Sequence, residues 1–83
     1  MNPEVADTLG WILLQQEATA DEAVKVLETA VGAGPNEPSI QYHLAVAYEK
    51  LNRRTEARRA VDRSLELGSF PEESDAKSLK TRL

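Results

Sequence analysis

The sequence predicts an all-α fold made of five helices. Apolar and small residues recur at spacings of three and four along most of the chain, which is the period of an amphipathic helix. No segment alternates apolar and polar residues over the length of a strand. The second half of the chain also restates the pattern of the first half after 34 or 35 residues, which is typical of a helical repeat.

Length, charge and composition exclude several classes of function. The chain has 83 residues, of which 41% are hydrophobic, so we expect one small core and a soluble domain. A net charge of −4 argues against binding to a phosphate backbone, and nucleic acid is not an expected partner. No apolar run approaches the roughly 20 residues that cross a bilayer, so membrane insertion is not expected. The absence of cysteine excludes disulfides and thiolate nucleophiles.

The first two helices are indicated by their apolar faces and by signals at their ends. The second helix is predicted to begin after Thr19, which with Glu22 three residues later fits a capping box. It ends at the segment 32–35, where glycines and a proline stop a helix. The predicted core stripe of the first helix comprises Ala6, Leu9, Gly10 and Leu13. That of the second comprises Ala23, Val26, Leu27, Ala30 and Val31.

The remaining three helices follow similar signals. The third follows a start marked by Asn36 and Pro38 and runs through Tyr42 and Tyr48 to Lys50, and Asn52 suits a left-handed exit from it. The fourth spans about residues 55–67 and ends at Gly68. A fifth helix is indicated after Pro71 by apolar residues spaced by three and four, namely Ala76, Leu79 and Leu83.

The repeated positions resemble the tetratricopeptide repeat (TPR), whose unit of about 34 residues reads W-x2-L-G-x2-Y, then A-x3-F, a small residue and P. The first unit matches at Leu9, Gly10, Leu13, Ala23, Leu27, Ala30 and Pro35, with Ala6 at the opening place. The second unit matches at Leu44, Ala45, Tyr48, Ala57, Val61 and Ser64, with Gln41 at the opening and Ser69 at the proline place.

The resemblance implies an α-solenoid in which residues 1–83 form a single TPR domain. Two helix-turn-helix repeats, at about 3–36 and about 37–69, would precede a capping helix at about 71–83. The whole chain also resembles the C-terminal end of longer bacterial TPR proteins. Within each repeat, small residues let the two helices approach, and we expect Gly10 to face Ala23 and Ala45 to face Ala57.

Residues that could support catalysis do not converge in the sequence. Glu72 and Glu73 are adjacent, so their side chains would diverge by about 100° on a helix. Both lie in a predicted first turn, where acidic side chains are favoured by the helix dipole. His43 is the only imidazole and has no cysteine or second histidine near it. We therefore predict no catalytic residue, no cofactor and no metal, and hence no enzyme.

The arginines of the fourth helix allow two interpretations. They form a conspicuous basic cluster, comprising Arg53, Arg54, Arg58, Arg59 and Arg63. The first interpretation is a solvated face with intrahelical ion pairs such as Arg58 with Asp62. The second is a surface that binds an acidic partner. The chain itself contains an acidic half, because residues 1–49 have a net charge of −7 and residues 50–83 one of +3.

A second stripe on the first helix of each repeat points to a binding surface. Its members share the spacing i, i+4, i+7 and comprise Asp7, Trp11 and Leu14, then Tyr42, Val46 and Glu49. The first helices of TPR domains line the concave groove, so the resemblance implies that these six residues bind a peptide or partner helix. The other interpretation is that Trp11 packs on a neighbouring repeat.

The sequence thus predicts a non-catalytic module that binds a protein or peptide through its groove. The alternative is a structural module for self-assembly or array capping, in which Trp11 is buried in a homo-oligomer interface. The apolar edge formed by Val5, Trp11 and Ile12 has no preceding repeat to cover it, and it predicts weak self-association.

Overall fold

The computed structural model describes residues 2–83, apart from the side chain of Glu17. Helices account for 79% of the residues, and no strand occurs in the described part, which confirms the all-α prediction. The five helices are α1 (Pro3–Leu14), α2 (Ala20–Ala33), α3 (Pro38–Lys50), α4 (Arg54–Glu66) and α5 (Glu73–Arg82), with a short 3-10 turn at Glu17–Thr19. No described helix is long and apolar enough to span a membrane.

The helices pack as two hairpins followed by a single helix. α1 packs on α2 and α3 packs on α4, while α2 and α3 join the hairpins and α5 packs on α4. The main core runs through all five helices, and its larger buried side chains are Leu14, Val24, Leu27, Leu44, Tyr48, Val61 and Leu79. A smaller cluster of Ala6, Ala30 and Ile40 closes the end of the first hairpin beside the α2–α3 connection.

The core face of α1 differs from the predicted one. Its buried residues are Ala6, Gly10 and Leu14, spaced by four, whereas Leu9 is 45% exposed and Leu13 is half-buried. Gly10 lies beneath Leu27 of α2, and this contact sets the rotation of α1 on α2. At 100° per residue, Leu9 and Trp11 then lie about 100° to either side of the buried line. The two residues therefore point to opposite flanks of the helix.

The ends of the helices follow the sequence signals with one exception. Asn2 caps α1, because its side-chain oxygen accepts from the Glu4 N–H at 2.8 Å. Asn52 has a φ of 59° and Gly68 a φ of 114°, so each adopts the left-handed conformation that ends a helix. The predicted capping box is wrong, since Thr19 makes no capping hydrogen bond and its hydroxyl instead donates to the Leu13 carbonyl at 2.5 Å.

The arginines of α4 make longer-range contacts than the predicted intrahelical pairs. Arg53, just before α4, binds Glu56 in its first turn at 2.6 Å, but Asp62 pairs with Lys80 of α5 at 2.8 Å instead of with Arg58. Arg58 donates to the backbone carbonyl of Leu83, beyond the last turn of α5. Part of the basic cluster therefore holds α5 in place, because cationic groups stabilise the negative end of a helix dipole.

Candidate partner-binding cleft

A cleft of about 330 Å³ opens between α1, α3 and the beginning of α5. Its walls come from three separate stretches of the chain, and the packing of these helices is what brings them together. The residues that line it are Asp7, Thr8, Trp11, Ile12, Tyr42, His43, Glu72 and Asp75.

His43 lies at the centre of the cleft and joins its walls. Its Nδ1 lies 2.6 Å from Oδ1 of Asp7 on α1, and its Nε2 lies 3.6 Å from Oε2 of Glu72 at the start of α5. Glu72 is held from the other side by the hydroxyl of Ser39, which donates to its Oε1 at 2.8 Å. The imidazole is only 12% exposed, so it forms part of the framework of the cleft.

Aromatic rings form the sides of the cleft. The indole of Trp11 lies against the imidazole of His43, with ring centroids 4.2 Å apart and planes tilted by 34°. The ring centroid of Tyr42 lies 5.7 Å from that of His43 and 6.5 Å from that of Phe70. Trp11 and Tyr42 are both half-buried, so each keeps part of its ring accessible to a ligand.

The cleft has a negative electrostatic character. Burial raises the pKa of Tyr42, and the carboxylates of Asp75 and Glu72 raise it further. The Tyr42 hydroxyl is therefore harder to ionise than that of an ordinary tyrosine and is a hydrogen-bond donor at neutral pH. Asp7, Glu72 and Asp75 contribute three carboxylates to the lining, and His43 is the only basic residue among the lining groups.

A family model described as the tetratricopeptide repeat matches residues 13–83, a stretch that begins near the end of α1 and includes α2 to α5. The chain belongs to the tetratricopeptide repeat family. The resemblance inferred from the repeated positions is thereby confirmed. No curated protein and no solved structure gave a significant match.

Members of the TPR family are typically non-enzymatic scaffolds that bind other proteins. In this TPR domain, Asp7 and Glu72 approach opposite nitrogens of His43, so the three side chains do not converge on one point. Across the described residues, no group of three or more His, Asp or Glu side chains is arranged to hold a metal ion.

The six residues predicted for the groove of the TPR domain occupy three different environments. Asp7, Trp11 and Tyr42 line the cleft. Leu14 is 1% exposed in the core, so the expectation that it presents an apolar surface in the groove is wrong. It lies one turn beyond Gly10 on the buried line of α1, and that position turns it towards the core.

The other two predicted groove residues lie on α3 beyond the cleft. Val46 is half-buried and packs against the main core. Glu49 accepts hydrogen bonds from Arg82 of α5 at 3.2 and 3.3 Å, so its charge is already paired within the TPR domain. Neither residue is among those that line the cleft.

Sequence reasoning missed two central residues of the cleft, His43 and Glu72. His43 was considered only as an isolated imidazole, although it stands 36 residues after Asp7, close to the repeat offset of 35. The first helices of adjacent repeats lie side by side, so this offset could have paired His43 with Asp7. Glu72 offered no such signal, because its approach to His43 depends on where α5 docks.

Proposed function

We propose that this TPR domain binds a peptide or a helix of a partner protein at the cleft between α1, α3 and α5, without catalysing a reaction. The observation that carries this proposal is the pair of half-buried rings, Trp11 and Tyr42, that both lie next to the framework residue His43 and line the cleft. Aromatic residues in partly enclosed sites are the commonest anchors of protein interfaces.

The size of the cleft suits an anchoring side chain better than a whole ligand. A volume of about 330 Å³ lies at the lower end of the range of ligand pockets, which is roughly 300–1,000 Å³. One or two side chains of a partner would enter the cleft, and the rest of the segment would lie along α1 and α3. Val46 and Glu49 stand further along α3 and are proposed as its outer contacts.

The charges that line the cleft favour a partner segment with a basic residue. Asp75 is exposed at the rim, and Asp7 and Glu72 lie deeper beside His43. A lysine or arginine could stack on the indole of Trp11 while its charged end reaches Asp75. The guanidinium of Arg82 on α5 is paired with Glu49 and adds no uncompensated positive charge.

The position of Trp11 also bears on the alternative function, array capping or self-assembly with Trp11 in a homo-oligomer interface. The indole stacks on His43 within the same chain and lies on the flank of α1 away from Leu9. This arrangement supports a role for Trp11 in the cleft, and the apolar edge of α1 is better represented by Val5, Leu9 and Ile12.

Two synthetic peptides of equal length and equal apolar content test the proposal, one carrying lysines and the other carrying glutamates at the same places. Each is titrated into the domain, with Trp11 fluorescence and amide chemical shifts as readouts. The lysine peptide is expected to shift the Trp11 emission and to perturb amides around residues 7–12, 42–43 and 72–75. The glutamate peptide is expected to bind at least about tenfold more weakly.

Variants then locate the site. Tyr42→Ala should weaken binding of the lysine peptide by about 2 kcal/mol or more, as truncation of an aromatic anchor in an interface commonly does. Asp75→Asn should remove most of the preference for lysine over glutamate. Lys77→Gln, on an exposed position of the same helix, serves as the matched control. Equal binding of both peptides to wild type and Tyr42→Ala would show that the cleft is not the binding site.

A further inference from the structure

An apolar patch on the outer side of the first hairpin adjoins the cleft and shares Ile12 with it. It consists of Val5, Leu9 and Ile12 on α1 and Val26 on α2, and we call it the α1 outer patch. Val5 is 64% exposed and Ile12 56% exposed. Leu9 lines both of the shallow depressions that make up this surface, one of about 490 Å³ along α1 and one of about 160 Å³ reaching α2.

The patch has no counterpart elsewhere on the described surface. Among residues 2–83, leaving aside the side chain of Glu17, Val5, Leu9 and Ile12 are the exposed large hydrophobic residues. The outer residues of α5, at the opposite end of the domain, are polar, namely Ser74, Lys77, Ser78 and Thr81. A head-to-tail contact would therefore place apolar side chains of α1 against a polar helix, whereas the same patch on a second copy offers an apolar partner.

We infer that the α1 outer patch binds the same patch of a second copy of this chain, with the two α1 helices antiparallel across a two-fold axis near Leu9. Burial of Val5, Leu9 and Ile12 from both copies supplies the driving force. Three side chains per copy cover well under the roughly 800 Å² per partner of a standard interface, so the dimer is weak.

The charges beside the patch specify the antiparallel orientation. Within one copy, Pro3 of α1 lies against Gly34 at the end of α2, and Gly10 of α1 lies against Leu27 of α2. Residues of α1 and α2 that lie side by side therefore have numbers that add to 37. This register places Lys25 level with Ile12, at the opposite end of the patch from Glu4. In an antiparallel pair, Glu4 of each copy then approaches Lys25 of the other.

Repulsion between the two Glu4 residues does not oppose this arrangement. With Leu9 near the axis, the two Glu4 residues stand about ten residues apart along the paired helices, or about 15 Å at the rise of an α-helix. That separation exceeds the Debye length of about 8 Å at physiological salt. A parallel pairing would instead bring the two Glu4 residues together.

Sedimentation equilibrium over a range of concentrations tests the dimer. Wild type is expected to show a monomer–dimer equilibrium with a dissociation constant of about 0.1–1 mM, in keeping with the small patch. Leu9→Gln should weaken it by at least about tenfold, because a two-fold interface contains the substitution twice. Val5→Gln, at the most exposed position, should act in the same direction with unchanged circular dichroism. Ser78→Gln on α5 is the control and should leave the equilibrium unchanged.

A charge exchange tests the orientation. Glu4→Lys and Lys25→Glu should each weaken the dimer by about threefold at low salt, and the double variant should restore it. A strict monomer at several hundred micromolar would overturn the inference, as would a dimer that Leu9→Gln leaves intact. Growth beyond a dimer, or failure of the double variant to restore association, would overturn the two-fold antiparallel arrangement. The readout needs no peptide, and the substituted residues Val5 and Leu9 do not line the cleft, so failure of the dimer and failure of the proposed function are distinguishable.

Discussion

Leu27 packs its branched carbons directly over Gly10, so closely that a Cβ at residue 10 would stand 2.5 Å from Leu27 Cγ. Leu27 is itself completely buried and cannot move aside. The absence of a side chain at residue 10 therefore sets how near α1 and α2 approach each other.

Gly10→Ala should lower the free energy of unfolding, because overpacking costs about 1–3 kcal/mol and exceeds the gain of up to about 1 kcal/mol in helix propensity. Gly10→Leu should prevent stable folding. Gly32→Ala is the matched control, since a Cβ at residue 32 of α2 meets no atom within 4 Å and should stabilise by about 0.5–1 kcal/mol. Urea unfolding of the three variants measures this. Equal effects of Ala at residues 10 and 32 would contradict the close contact with Leu27.

The hydrogen bond between Asp7 and His43 should couple the two hairpins. Removing one partner of a part-buried hydrogen bond costs about 1–3 kcal/mol, so Asp7→Ala and His43→Ala should each destabilise the domain. The double variant should lose less than the sum of the single losses, with a coupling energy of about 1 kcal/mol. Thr8→Ala, at the exposed neighbouring position, should change stability by less than about 0.5 kcal/mol. Strict additivity in the cycle would mean that the two residues do not interact in solution.

Tyr48 should make the domain less stable in alkali. Burial, followed by the hydrogen bond that its hydroxyl donates to Glu28 at 2.5 Å, raises the pKa of Tyr48 well above the ordinary value of 10.0. The unfolded chain therefore loses this proton at a lower pH than the folded chain, so the contribution of Tyr48 to stability is complete below pH 10 and is lost above it.

The comparison of wild type with Tyr48→Phe isolates this effect from the lysines, which titrate in the same range. At about pH 8 the variant should be less stable by about 1 kcal/mol, because it lacks the hydrogen bond to Glu28. Above about pH 10 the difference in unfolding free energy between the two proteins should shrink, because ionisation of the Tyr48 hydroxyl destabilises the folded wild type relative to its unfolded chain and the variant has no such hydroxyl. Urea unfolding between about pH 8 and pH 11 measures both curves, and curves that stay parallel would exclude Tyr48 as the source.

Leu79 should be the residue that anchors α5. It is fully buried in the main core, and a helix of ten residues is not stable without such packing. Leu79→Ala should cost about 2–5 kcal/mol locally and should speed hydrogen exchange in α5 more than in α1. Ser78→Ala, on the exposed neighbouring position, is the control. Uniform acceleration throughout the chain would show that α5 opens only when the whole domain unfolds.

Local information in the sequence was sufficient for the helices and for the family. The ends of α3 and α4 follow from Asn52 and Gly68. Glycine and asparagine adopt the left-handed conformation that ends a helix at a lower energetic cost than other residues do. The repeat offset of about 35 residues aligned Leu44 and Tyr48 with the first unit, and from those positions the TPR fold followed. Such signals depend on neighbours in the chain, which the sequence states directly.

The rotation of each helix about its axis was decided by the tertiary structure. Leu9, Leu13 and Leu14 are all leucines at helical spacing, and only the seating of Gly10 under Leu27 buries Leu14 and exposes Leu9. The apolar stripe on a wheel is about 100° wide, so the sequence cannot distinguish a core leucine from one on the flank. That rotation directs Trp11 to the cleft and Leu9 to the α1 outer patch.

The cleft itself depended on contacts between distant parts of the chain. Asp7 was recognised from its spacing to Trp11, but its hydrogen bond to His43 required the separation of α1 and α3 to be known. Glu72 reaches His43 because Leu79 and the arginines of α4 hold α5 beside α3. His43 is 36 residues from Asp7 and 29 residues from Glu72 in the sequence, so the residues next to each of them do not reveal these contacts. The sequence by itself determined which segments are helical and how they repeat. The packing of α5 and the rotation of α1 decided which polar and aromatic groups meet, because that packing and that rotation arise from burial between residues far apart in the chain.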